Sequence, residues 1–222
     1  MLIYHGTSQE NAMKIMCSQL MSRKDVKVFP TSLSSNGNAI YLTPFYGPHY
    51  AFLRSTMQDN ARGAILEIDT DFLDETKFIF DEITLEQNGR IDDGGEDLSI
   101  EERMKFYISL IETGKIDHIP WTTSLALMGS CAYRGSISNQ AVVRVAVVDL
   151  DLLKPLMFIG VPPIIDTFNH RIMSHRYDAL TKWIFGDLVI GPSSRMWEKI
   201  PFPPANNRNG ITIYEQKEFA RI

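Results

Sequence analysis

The sequence predicts an α+β domain built on a mixed or antiparallel β-sheet, and three observations carry that prediction. Short apolar runs of strand length recur along the chain, segments with apolar residues at helical spacing fall between them, and no fixed repeat marks a solenoid or propeller. At 222 residues, 44% hydrophobic and 22% charged, residues 1–222 fit a single domain with room for a large insertion. No stretch approaches the roughly 18 consecutive apolar residues of a membrane-spanning helix. No membrane partner is expected.

Leu2 to His5 reads as the first strand. Ser8 then offers an N-cap hydroxyl to a helix whose Ala12, Ile15 and Met16 share one face. The polar run from Thr31 to Asn38 reads as a loop before a second strand, Ala39 to Leu42. Pro44, Gly47 and Pro48 break the chain, after which His49 to Met57 resumes as a helix. Ala64 to Ile68, following Gly63, is a third strand. Ser99-Ile100-Glu101-Glu102 has the capping-box spacing and predicts a helix through about Glu112. Ala141 to Val148 is almost wholly Val and Ala apart from Arg144, as in a central strand covered on both faces. Asp187 to Ile190 and Gly210 to Tyr214 close the set, separated by a Pro- and Asn-rich irregular segment.

The net charge of −5 hides an uneven distribution. Residues 67–117 hold 16 Asp and Glu against 5 Lys and Arg and so carry −11, whereas the rest, with 17 basic against 11 acidic, carries +6. An acidic helical insertion at about residues 69–117 is therefore expected on a basic body. The Asp92 to Asp97 run lacks the ligand spacing of an EF-hand. Cys17 and Cys131 are too few for a disulfide framework and lack zinc spacing, and His170 and His175 lack the i, i+4 spacing of a helical zinc pair, so no metal is expected. Met1 to His5 enters a strand with no basic head or cleavage site, which with the two thiols predicts a cytoplasmic protein.

The chemistry gathers at the strand ends. His5 can exchange hydrogen bonds with a ribose hydroxyl, Gly6 permits close backbone approach by a flat ligand, and Thr7 adds a hydroxyl. With this His5-Gly6-Thr7 strand end and a following helix, the sequence resembles the diphtheria-toxin-like and PARP-like branch of the ADP-ribosyltransferase superfamily. Asn38-Ala39-Ile40-Tyr41-Leu42-Thr43 is similar to the branch's Gly-Ile-Tyr-Phe-Ala element, and Tyr50-Ala51-Phe52 falls near its second aromatic. The resemblance covers about the first 70 residues well and the later part loosely. It implies a split β-sheet core with flanking helices, NAD as co-substrate, His5 on a ribose, the Gly6 backbone on the carboxamide, and Tyr41 and Tyr50 around the nicotinamide ring, with Phe52 or His49 as substitutes for Tyr50.

The family also places a Glu at the start of a late strand. Here Asn139-Gln140-Ala141-Val142-Val143 resembles its Asn-Glu-Tyr-Ile-Val pattern, so Gln140 stands where the carboxylate is expected. An amide can bond a ribose hydroxyl but supplies no negative charge to an oxocarbenium-like centre. Three outcomes follow: reduced or mono-transfer activity, an acid supplied by another residue such as Asp187 or Glu198, or a pocket that only binds NAD.

The run Gly129 to Ser138 occupies the place of the family's acceptor-recognition loop, which makes Tyr133 and Arg134 acceptor contacts. Arg171, His175, Arg176 and Lys182 offer a phosphate-tracking helix face. The expected function is an NAD-dependent mono-ADP-ribosyltransferase acting on a macromolecule, with RNA or DNA ahead of protein. Such a compact transferase resembles a toxin or anti-phage effector whose acidic segment docks an antitoxin or inhibitor. An NAD-binding pseudoenzyme or regulatory module is the alternative. An RNA 2′-phosphotransferase ranks third, because Arg23 and Lys24 substitute weakly for that family's early anchors.

Overall fold

The computed structural model describes residues 1–22, 37–81, 120–157, 167–188 and 208–221, with single positions at 102, 109, 113 and 114. Nine strands and five α-helices lie among them, and every strand pairing is antiparallel. The fold class is α+β.

The first strand, β1 (Leu2–Ser8), runs three residues further than its apolar pattern predicts, because pairing with β4 (Arg62–Asp69) continues through Gly6, Thr7 and Ser8. Ser8 then caps α1 (Gln9–Cys17), its hydroxyl accepting from the Asn11 amide at 3.4 Å, and Ala12, Ile15 and Met16 are the buried face. Helix α2 (Gly47–Met57) begins two residues earlier than expected. Pro48 is tolerated there because first-turn amides have no partner inside a helix.

The four-stranded sheet has the order β1-β4-β8-β9, with β8 spanning Val142–Asp149 and β9 Ile211–Glu215. A second sheet has the order β3-β6-β5, formed by Ala39–Leu42, Cys131–Arg134 and Phe78–Phe80. A two-stranded ribbon, β2 (Gln19–Leu20) with β7 (Ile137–Ser138), lies beside them. One bridge, Tyr4 to Thr43, ties β1 to β3.

Strand alternation sends side chains to two cores. Ile3, Leu66, Val145 and Val147 pack with α1 and with Leu42, Phe78 and Tyr133 of the second sheet. Tyr4, Ile65, Ala146 and Val148 pack under Tyr46, Ala51, Leu180, Trp183 and Ile184, the last three from α5 (Thr167–Phe185). Helix α3 (Trp121–Met128) lies against the second sheet, with Trp121 stacked on Phe78 at 4.4 Å, and α4 (Leu150–Met157) follows β8.

Several expectations change. Residues 70–81 were assigned to the insertion, yet two 3-10 turns there lead into β5, a core strand. Cys131–Arg134, expected in a loop, is the central strand of the second sheet, and Tyr133 is buried rather than facing an acceptor. Its hydroxyl accepts from the Asp74 amide at 3.3 Å and its ring meets Phe78 edge-on at 5.1 Å. Asp187 and Leu188 are not in a strand, since both amides bond back to the Lys182 carbonyl and finish α5. The Asp92 to Asp97 run, the helix expected from Ser99 apart from Glu102 and Ser109, Arg23, Lys24, Glu198 and the side chains of His170, Arg171 and Arg176 lie outside the described residues.

Candidate functional site at the junction of the two sheets

Tyr4 donates its amide to the Thr43 carbonyl at 2.7 Å and accepts from the Thr43 amide at 2.9 Å. Beyond that bridge β1 and β3 part. His5 spans the opening, its Nδ1 lying 3.0 Å from the Tyr41 carbonyl. A carbonyl only accepts, so this contact places a proton on Nδ1.

Antiparallel strands turn their amides alternately to either side. The Tyr4 amide and carbonyl face β3, so those of Gly6, two residues on, leave β1 on the same side, away from β4. Gly6 therefore presents one donor and one acceptor where the sheets separate. Its lack of a side chain has a packing reason. A Cβ there would collide with the Gly47 carbonyl and the Ala51 amide nitrogen and lie 2.7 Å from the Tyr50 Cβ. The sequence reading gave that close approach to a ligand, whereas helix α2 makes it, and the edge amide remains.

Tyr50 is thus held beside Gly6. It is half-buried, as are His5 and Tyr41, and alternation with buried Ile40 and Leu42 turns Tyr41 toward the side on which α2 lies. Burial, the charge of Asp81 and the neighbouring Tyr177 raise the Tyr50 hydroxyl above the usual phenol range. Thr7 is buried, its hydroxyl accepting from the Asn11 side chain at 3.3 Å, and Phe52 packs against the α5 core; neither lies at the junction. His49 is buried between Tyr50 and Tyr177, 5.5 and 6.1 Å away ring to ring, and burial lowers it to about 4. The Tyr177 hydroxyl, raised to about 12 by burial, lies 3.5 Å from His49 Nδ1, and His49 Nε2 has no hydrogen-bond partner among the described residues.

Leu42 and Phe80 both sit opposite Cys131, so Thr43, Ser130 and Asp81 continue one row across the second sheet. The bridge carries that row into the larger sheet through Tyr4, Glu67 and Arg144. Ser130 Oγ donates to Asp81 at 2.6 Å, the Asp81 amide donates to Ser124 Oγ at 2.9 Å, and Ser124 Oγ donates to the Ser130 carbonyl at 2.7 Å. Sequence reasoning passed over Asp81, although an acidic residue directly after the apolar triplet Phe78-Ile79-Phe80 was a visible signal.

At the other end of the row, Arg144 grips buried Glu67 at 2.5 and 2.7 Å and Asp187 at 2.7 and 3.0 Å. Arg144 is held protonated, and its bonds pull the Asp187 carboxyl below its usual range. Asp187, considered as a replacement acid, is committed to that pair.

Neither protein-family models nor curated proteins yield a match to this chain. The site stands on its own geometry.

Gln140 is not brought to the junction. It lies exposed in a 3-10 turn before β8, with Gln216 donating to its carbonyl at 2.7 Å. Val145 is opposite Leu66, which is opposite His5. Five residues of rise and two strand spacings therefore put Gln140 on the order of 15 Å or more from His5. Arg134 is exposed at the end of β6. Lys182 pairs with Asp178 at 2.7 Å, and His175 is exposed on the same helix. Among the described residues, no three His, Cys, Asp or Glu side chains converge as a metal site, and no helix is long and apolar enough to cross a membrane.

Proposed function

We propose that this chain binds NAD where β1 and β3 separate and transfers ADP-ribose to a macromolecular acceptor, in the manner of the ADP-ribosyltransferases its first 70 residues resemble. The observation that carries the reading is the Gly6 edge amide with Tyr50 packed beside it. A carboxamide has one donor and one acceptor in a plane, the complement of a strand-edge N–H and C=O, and a flat heterocycle so held can lie against a phenol ring. His5, fixed by Tyr41, has its imidazole at the same opening for a ribose hydroxyl. Tyr41 closes the second side.

Held this way, the glycosidic bond is oriented for cleavage, and positioning supplies a large part of the rate. RNA or DNA is favoured over protein as acceptor because the chain outside residues 67–117 carries +6. The distance of Gln140 from His5 favours a second reading, an NAD-binding module without turnover.

Incubation with NAD labelled in its adenylate, beside separate RNA, DNA and protein pools, distinguishes the two. Transfer of label with stoichiometric nicotinamide release supports the transferase. Saturable binding with no released nicotinamide supports the module. Loss of an internal 2′-phosphate from RNA, with no label left on a macromolecule, indicates the phosphotransferase.

A further inference from the structure

Tyr41 and Tyr50 stand on different elements, and the turn from Thr43 to Tyr46 connects the two. Helix α2 packs on β1 and β4 of the larger sheet, whereas β3 belongs to the second sheet and meets the larger one at the Tyr4–Thr43 bridge. The spacing of the two phenol rings therefore depends on how this turn is held. Thr43, which is buried, holds it from within. Its backbone makes the bridge to Tyr4, and its Oγ1 accepts from the Tyr46 amide at 2.9 Å and from the Phe45 amide at 3.3 Å. A hydroxyl oxygen has two lone pairs, one for each donor. Tyr46, the residue before α2, makes no side-chain cap bond of its own, so the entry to the helix is fixed from Thr43, three residues earlier. Thr181 holds the turn from the other side. It is buried in α5, its hydroxyl donates to the Phe45 carbonyl at 2.9 Å, and Tyr177 of the same helix meets the Tyr46 ring edge-on at 5.1 Å.

We propose that Thr43 and Thr181 are positioning residues of the NAD site, which together hold Tyr41 and Tyr50 at the spacing that admits one flat ring. This rests on the NAD reading above. Two ring faces in contact with a heterocycle between them lie about 7 to 8 Å apart, since carbon atoms meet at about 3.5 to 4 Å. A shift of about half an ångström already spoils such a fit. Tyr50 lies one turn beyond Tyr46, its amide bonded to the Tyr46 carbonyl at 3.1 Å, so a movement at Tyr46 is carried to it. Packing against Gly6 fixes Tyr50 relative to β1, and the Thr43 hydroxyl adds the second reference, to β3. Both threonines act through the rings and leave the rest of the dinucleotide untouched.

The test measures, by calorimetry, the affinities of wild type, Thr43→Val, Thr43→Ser and Thr181→Val for NAD and for ADP-ribose, which lacks the nicotinamide ring, with thermal melting as the folding control. Valine keeps the shape of threonine without its oxygen, and serine keeps the oxygen. Thr43→Val is expected to weaken NAD binding about tenfold while ADP-ribose binding stays within about twofold, and Thr43→Ser to recover most of the loss. A general loosening of the fold would weaken both ligands alike. Thr181→Val is expected to weaken NAD binding about fivefold, again with ADP-ribose spared. If Thr43→Val does not fold, Thr181→Val decides. Equal weakening of the two ligands, unchanged NAD affinity in the folded valine variants, or a Thr43→Ser protein as weak as Thr43→Val overturns the proposal and leaves the NAD reading standing. A wild-type protein that does not bind NAD overturns both.

Discussion

Gly6 joins packing to binding. Its α-carbon touches the backbone of α2, while its amide and carbonyl leave the strand edge where the sheets part. Gly6→Ala forces a methyl against the Gly47 carbonyl and the Ala51 nitrogen, backbone atoms that can yield only if the helix shifts. The substitution is expected to cost about 3 kcal/mol in denaturant unfolding, at the upper end of ordinary overpacking, and to weaken NAD binding by moving Tyr50. An alanine variant as stable as wild type would contradict the close approach. At this scale the sequence was informative where one residue meets its neighbours in the chain. Ser8 as a cap and Ala12, Ile15 and Met16 as a buried face follow from local spacing. Tyr133 does not, because the alternation that buries it depends on two partner strands, from residues 39–42 and 78–80.

At the scale of elements, α2 carries an acid sensitivity. His49 is buried among Tyr46, Tyr50 and Tyr177 and is held neutral, with burial lowering it to about 4 against an ordinary value of 6.5. In the unfolded chain the same imidazole takes up a proton as the pH falls through 6.5, whereas the folded protein resists until about 4. The unfolded state binds more protons across that window, so stability is full above pH 6.5 and is lost progressively between 6.5 and 4. The loss is on the order of 3 kcal/mol. Unfolding free energies of wild type and His49→Leu between pH 4 and 7.5 are expected to differ in slope, the variant losing this component. Parallel slopes would show that His49 titrates freely in the fold. The strands β5 and β6 escaped sequence reading for a reason of the same scale. Cys131–Arg134 is four residues between Gly129 and Gly135, which reads as a loop, and Phe78–Phe80 sits in an acidic stretch whose charge suggests a solvated segment. Pairing over more than fifty positions makes them strands.

For the whole molecule, two antiparallel sheets meet at one bridge, and a row of polar side chains crosses both of them at that level. Arg144, the one charged residue in the apolar run Ala141 to Val148, was visible in the sequence, but its partners, Glu67 and Asp187, are 77 and 43 residues away and were not. Asp81 was hidden in the same way, since its significance comes from Ser124 and Ser130 brought to it by the fold. The grouping of His5, Gly6, Tyr41 and Tyr50 was legible because it needs only β1, β3 and the helix α2 that follows. Where Gln140 falls was not legible because a linear pattern carries no information about which strand its own joins, and β8 is separated from β1 by β4. The proposed NAD recognition rests on residues within the first fifty, His5, Gly6, Tyr41 and Tyr50. Calorimetric titration of NAD into wild type and Tyr50→Ala tests that account most directly. Micromolar binding by wild type, weakened at least about tenfold in the variant by loss of the ring beside Gly6, is the expected result. No heat at millimolar NAD, or equal affinity in the two proteins, would contradict it.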